Sequence, residues 1–199
     1  MNAIEKAAQL VGSLSSLRQE WRTRADQQHP LLSLSAVVPT LIRAGNWIVT
    51  YPESAELTCD VQYLPHRAGA AGTGEGARIE LGLWISAASA TDPWLSRHQP
   101  TLQWLSNCPP AEVPSGHPIV TTALEAGRDI GRGGRVAGLD SWHDAATYTL
   151  YGRTPTVSFG PGAIEVAHAI DEFVPVQDLV EFTAAAALIA MRWCGVASA

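Results

Sequence analysis

Cysteine is scarce in this chain of 199 residues. Cys59, Cys108 and Cys194 are odd in number and far apart, which excludes a disulfide framework and a Cys-x-x-Cys metal site. They read as thiols of a reduced, cytoplasmic protein. Positive charge is also short: 13 Lys and Arg stand against 19 Asp and Glu, a formal net charge of −6, and the basic residues form no cluster. Nucleic acid is therefore not an expected partner, because neutralising phosphates needs a basic stripe. Long apolar runs are missing too. The longest, near Ala184–Met191, falls far below the roughly 20 residues that span a bilayer, so no membrane partner is expected. Residues 1–6 run straight into a helical pattern and read as no secretory leader. What remains is 46% apolar and 16% charged residues, a balance that supports a packed core in one large or two small domains.

Ile4, Ala8, Val11, Leu14, Leu17 and Trp21 recur at spacings of three and four and predict an amphipathic helix ending near residues 24–26. Two strand-like runs follow, at 35–42 and at 47–51 continuing past Pro52 into 55–64; in the second, Leu57, Cys59, Val61 and Tyr63 share one face. Residues 67–77, rich in Gly and Ala, read as a mobile surface loop. A helix over 79–90 and a short strand over 101–105 complete a ferredoxin-like α+β layer lacking its first strand. Asn107-Cys108-Pro109-Pro110 marks a boundary, giving domains 1–108 and 109–199. Beyond it the pattern turns α/β: a helix over 117–130 with Ser115 as N-cap, strands at 135–139 and 154–159, and helices at 145–151 and 176–194.

The residues suited to chemistry lie in that second part. The apolar run Thr154–Phe159 leads into a Gly160-Pro161-Gly162 turn, where glycine lets a ligand approach the backbone. His168 follows between small residues, with Asp171 and Glu172 three and four positions on. An imidazole with carboxylates nearby suits a metal ligand with supporting hydrogen bonds, or else a hydrogen-bonded loop histidine. His29, His66, His98 and His117 lie in proline-flanked loops and read as solvated.

The run Phe159-Gly160-Pro161-Gly162 … Ala167-His168 … Asp171-Glu172-Phe173-Val174-Pro175-Val176 resembles the closing signature of the di-zinc amidohydrolases, which include acetylornithine deacetylase, succinyl-diaminopimelate desuccinylase and aminoacylase. Tyr51–Leu57 with Asp60–Pro65, His143–Ala146 with Gly152–Pro155, and Asn2-Ala3-Ile4 resemble further family segments in the right order. The resemblance implies a ferredoxin-like lid, through which the protein forms a homodimer, followed by the C-terminal portion of an α/β zinc-hydrolase catalytic domain. It implies that His168 is the last zinc ligand, that Gly160, Pro161 and Gly162 line the substrate pocket through backbone groups, and that His143 and Asp144 lie at its rim. The implied reaction is hydrolysis of an amide bond in an N-acyl amino acid or small peptide-like molecule.

The resemblance also implies what is not here. The family's His-x-Asp pair, bridging Asp, general-base Glu and further acidic ligand all precede the lid. This chain is therefore expected to hold one side of a two-zinc site and to be inactive alone, because a catalytic zinc needs about three protein ligands. An Asn and an Arg that grip a substrate carboxylate in several members are replaced by Val49 and Gln62. The alternative is a non-catalytic dimerisation module, or half of a split enzyme that pairs with a separate N-terminal chain.

Overall fold

The computed structural model describes residues 1–196. They form a mixed α/β structure that divides into two compact units. Unit 1 comprises Met1–Pro110 together with Gly138–Trp142; unit 2 comprises Ala111–Ala137 and the chain from His143 onward.

Unit 1 is built around α1 (Ala3–Trp21). Asn2 caps it: the Oδ1 atom accepts the Ile4 N–H at 3.0 Å, satisfying one orphan donor of the first turn. Its buried face is Ala3, Ala7, Leu14, Leu17 and Trp21. The apolar pattern therefore holds in the second half and shifts by one residue in the first, where Ile4 is exposed.

Strands β1 (Ala36–Ala44) and β2 (Ala55–Gln62) pair antiparallel, from Ala36 opposite Gln62 to Ala44 opposite Ala55. The ladder is irregular between Pro39 and Leu41, where proline has no N–H to give. Leu57, Cys59 and Val61 face the core, as the alternation predicts. Burial pushes the Cys59 thiol pKa up. Residues 47–51 are not a strand; Thr50 N–H turns back onto the Trp47 carbonyl at 3.3 Å, and the segment is the tip of the hairpin.

Helix α2 (Glu75–Ala90) buries Ala77, Leu81, Ile85 and Ser89, one residue per turn. It starts four residues earlier than predicted. The loop before it is not free: Gly72 O accepts from Asn107 Nδ2 at 2.9 Å, and Gly74 N–H donates to Ala68 O at 2.8 Å. A Cβ at Gly74 would stand 2.7 Å from the Tyr63 ring. Leu14, Leu17, Trp21, Val37, Leu81 and Ile85 form the core between helices and sheet. Full burial of such side chains contributes about 1.5–3 kcal/mol each.

A charge network closes one end of this core. Glu80 accepts from Trp21 Nε1 at 2.9 Å and from Arg24 and Arg67, while Arg24 Nη2 and Arg67 Nη1 reach Asp26 at 2.7 and 2.9 Å. Burial pushes the Glu80 carboxyl pKa up, but the hydrogen bonds from Trp21, Arg24 and Arg67 more than offset it and leave it below the ordinary range. Hydrogen bonding to Arg24 brings Asp26 down to about 2.

The run Thr101–Leu105 joins no ladder. It lies along α2 instead, with Leu102 beside Gly82 and the Trp104 ring 4.6 Å beneath the Arg78 guanidinium. Its apolar character serves helix packing rather than a sheet. The sheet has two strands, β1 and β2.

Unit 2 holds α3 (Pro118–Asp129), α4 (Ala145–Leu150) and α5 (Val176–Cys194). Helix α3 is capped by His117, whose Nδ1 accepts the Ile119 N–H at 3.3 Å, and not by Ser115. Ion pairs of Arg132 with Asp178 and Glu181, and of Arg192 with Asp129, bracket the contact of α3 with α5. The predicted strands 135–139 and 154–159 are absent. Thr154 and Thr156 N–H groups turn back onto Tyr148 O and Thr149 Oγ1, which removes them from any ladder. No helix of the described residues is long and apolar enough to cross a membrane.

Candidate functional site

The Gly160-Pro161-Gly162 turn follows Phe159, whose ring lies 5.8 Å from Phe182 of α5. That contact anchors the entry to the turn on the longest helix of the unit. A Cβ at Gly160 would meet nothing within 4 Å, so the backbone here is open to an approaching ligand. Gly162 has φ +83°, a left-handed conformation that favours glycine, and Val174 closes against it. The segment thus folds back on itself and presents residues 163–173 as one compact loop.

His168 sits in that loop, exposed, with φ +65°. This is a left-handed backbone that costs a non-glycine residue about 1–2 kcal/mol. Its N–H donates to Glu172 Oε2 at 2.8 Å, so Glu172 holds the loop rather than the ring. Asp171 is exposed.

His143 opens α4. Its Nδ1 accepts the Ala145 N–H at 3.3 Å, doing the capping that Asp144 does not do with its side chain. Ser158 Oγ lies 3.4 Å from His143 Nδ1 and 3.3 Å from Nε2. An oxygen shared between both ring nitrogens is not aligned with either, so this pair lacks the directed hydrogen bond of a histidine-activated serine nucleophile. Ser158 was not foreseen from sequence; nothing in its neighbours distinguishes it from an ordinary apolar-run serine. The structure brings His143 to Ser158, two residues before the Gly160 turn. No hydrogen bond or ion pair among the described residues joins His168 to His143 or Asp144.

The remaining histidines lie outside this loop and have partners of their own. His29 Nδ1 accepts the Leu31 N–H, His66 Nε2 lies 2.8 Å from Asp26 O, and His98 stacks on Trp94 at 4.2 Å. Val49 is 80% exposed at the hairpin tip, and Gln62 Nε2 donates to Asp60 Oδ2 at 2.9 Å.

A metal needs about three protein ligands. Among the described residues no group of three or more His, Cys, Asp or Glu side chains is placed to hold one. The described residues therefore do not fit a zinc site by themselves.

A mixed α/β chain with a small two-stranded sheet, an open glycine turn and one exposed loop histidine is what the fold and the site define. The chain belongs to the peptidase family M20/M25/M40, which it matches over residues 9–192. It is thereby a member of a hydrolase family. It is similar to N-formyl-4-amino-5-aminomethyl-2-methylpyrimidine deformylase of Bacillus subtilis (strain 168), at 22% identity over 202 aligned residues, and to the protein of the same description from Halalkalibacterium halodurans, at 21% over 203. Each alignment covers 97% of this chain and 46% of the relative, so the chain spans about half the length of the curated relatives it matches.

Proposed function

We propose that this chain forms one part of a metal-dependent hydrolase that cleaves the amide bond of a small N-acylated amine. The observation that carries the reading is the family match over residues 9–192, together with two relatives described as deformylases. The relatives' description points to a formyl group on an aminomethylpyrimidine; an N-acyl amino acid or peptide-like molecule is the broader class. In this reading His168 is the ligand that the chain offers to zinc, and the open backbone of Gly160–Gly162 lines the substrate pocket. His143 and Asp144 stand at its rim. Residues 1–108 are the lid and residues 109–199 the last part of the catalytic domain, with the other ligands and the general base in the half of the relatives that this chain does not match. These 199 residues are inactive alone.

The test is hydrolysis of N-formyl-4-amino-5-aminomethyl-2-methylpyrimidine, and of N-acetyl amino acids, by a polypeptide that joins these residues to the remaining length carried by the relatives. His168→Ala is expected to lower turnover by about 100-fold or more, as loss of a ligand or its support does. Unchanged turnover removes His168 from the site. Calorimetric titration of the 199 residues with zinc is expected to show no tight binding of two ions; stoichiometric binding of two overturns the incomplete-site reading.

One feature favours a second reading, a dimerisation module or half of a split enzyme. The hairpin tip exposes Trp47, Ile48, Val49 and Tyr51, at 68, 94, 80 and 78%, beside a sheet whose outer edges are open. A homodimer formed there is lost in Ile48→Asp, read by light scattering.

A further inference from the structure

Residues 138–142 leave unit 2, join unit 1 and return within five positions. Two independent features fix them there. Asp140 grips Ser33 with both carboxylate oxygens: Oδ1 accepts the Ser33 N–H at 2.7 Å and Oδ2 accepts the Ser33 hydroxyl at 2.6 Å. Gly138 passes so close to the Leu31 carbonyl that a Cβ built on it would stand 2.1 Å from that oxygen, and 2.6 Å from Leu32 Cδ2. The contact therefore joins residues 107 apart in sequence through one carboxylate and one bare backbone position. Both Ser33 and Asp140 are exposed. None of the strap's N–H groups appears in a backbone hydrogen bond among the described residues. A charge-assisted pair at the surface is firm enough to hold and weak enough to release.

We propose that residues 138–142 are a releasable strap, latched to the rest of unit 1 by the Asp140–Ser33 clamp. Trp142 is covalently joined to His143, whose ring caps α4 and meets Ser158. Letting go of the clamp frees the strap without disturbing the unit 1 core, none of whose residues takes part in the clamp. The proposal goes beyond the hydrolase reading and stands without it, since its test uses neither metal nor substrate.

The experiment follows two signals in the full chain: hydrogen exchange of the Ser33 amide by NMR, and chymotryptic cleavage after Leu139 and Trp142. In the parent chain the Ser33 amide is expected to be protected and cleavage slow. Ser33→Ala is expected to speed cleavage by about ten-fold, the loss of one good charge-assisted bond, and Asp140→Ala by more, since it removes both. The double variant is expected to be no faster than Asp140→Ala alone, because the two residues act as one contact. Gly138→Ala is expected to release the strap by steric expulsion with Asp140 intact. Exchange of the Leu14, Leu17 and Trp21 amides stays unchanged in all variants. A Ser33 amide that is unprotected in the parent, additive effects in the double variant, or core amides that lose protection together with Ser33 would each overturn the latch.

Discussion

Up to residue 110 the chain buries Trp21, Leu17 and Val37 completely, whereas from 111 onward its deepest side chains are Val120 and four alanines, Ala123, Ala126, Ala146 and Ala185. The difference lies less in helix content than in what the helices face. Helix α1 packs on the sheet and on α2, and large apolar groups of all three meet there. Helix α5 has α3 on one side. On the other, Val176, Leu179, Val180 and Met191 are between 46 and 75% exposed. Amphipathicity is equally readable in both units, yet only one of them has a layer to spend it on. The lesson is that an apolar helix face reports a demand for a partner and does not say where the partner is.

The largest effect expected from this contrast is on Trp21→Ala. The substitution removes the biggest fully buried side chain and one donor to Glu80, and should cost about 3–5 kcal/mol in chemical denaturation. The matching truncation in unit 2, Leu179→Ala, removes a 46% exposed side chain and should cost less than about 0.5 kcal/mol. Equal losses would break the comparison. Next comes Glu80→Ala, which takes the acceptor from Trp21 Nε1 and one of the two carboxylates that Arg24 and Arg67 share, and should cost about 1–3 kcal/mol in the same assay.

Acid should also fall on unit 1. Asp26, held at about 2, lies below the ordinary aspartate value near 3.9, and Glu80 is lowered as well. A depressed carboxyl gives stability that is complete above its unfolded pKa and is lost as the pH falls through the folded one. Tryptophan fluorescence should therefore report weakening of the Trp21 core from about pH 4 downward, and Asp26→Asn should flatten that slope. A further effect is a gain: His168→Gly relieves the left-handed backbone and should stabilise unit 2 by about 1 kcal/mol while removing the ligand offered to a metal.

Much of the fold was legible in the residues. Each of the five α-helices of the described residues overlaps a predicted one, although α2 begins four residues early, because a period near 3.6 is a property of the segment itself. Strands β1 and β2 were legible through alternation. Thr101–Leu105, Arg135–Leu139 and Thr154–Phe159 misled for one shared reason: an apolar run says that a segment wants burial, while a strand also needs a neighbour to exchange hydrogen bonds with. Thr101–Leu105 found α2, and Thr154–Phe159 turned back onto α4. At the site, the glycine turn and His168 were readable from sequence. The Ser158 contact with His143, the Glu172 hold on the His168 loop and the Asp140 clamp were not, since each depends on how distant or turned segments meet.

The Gly- and Ala-rich loop before α2 shows what that limit means in practice. By composition it is the obvious place to open the chain for an inserted tag, a fluorescent reporter or new termini. Its carbonyls and glycines are nonetheless seated against Tyr63 and Asn107, and a side chain at Gly74 collides with the tyrosine ring. An insertion there unseats the start of α2 and with it the Leu81 and Ile85 contacts. The hairpin tip at 47–51, apolar and uninviting by composition, is the better site for grafting, because its side chains already point into solvent.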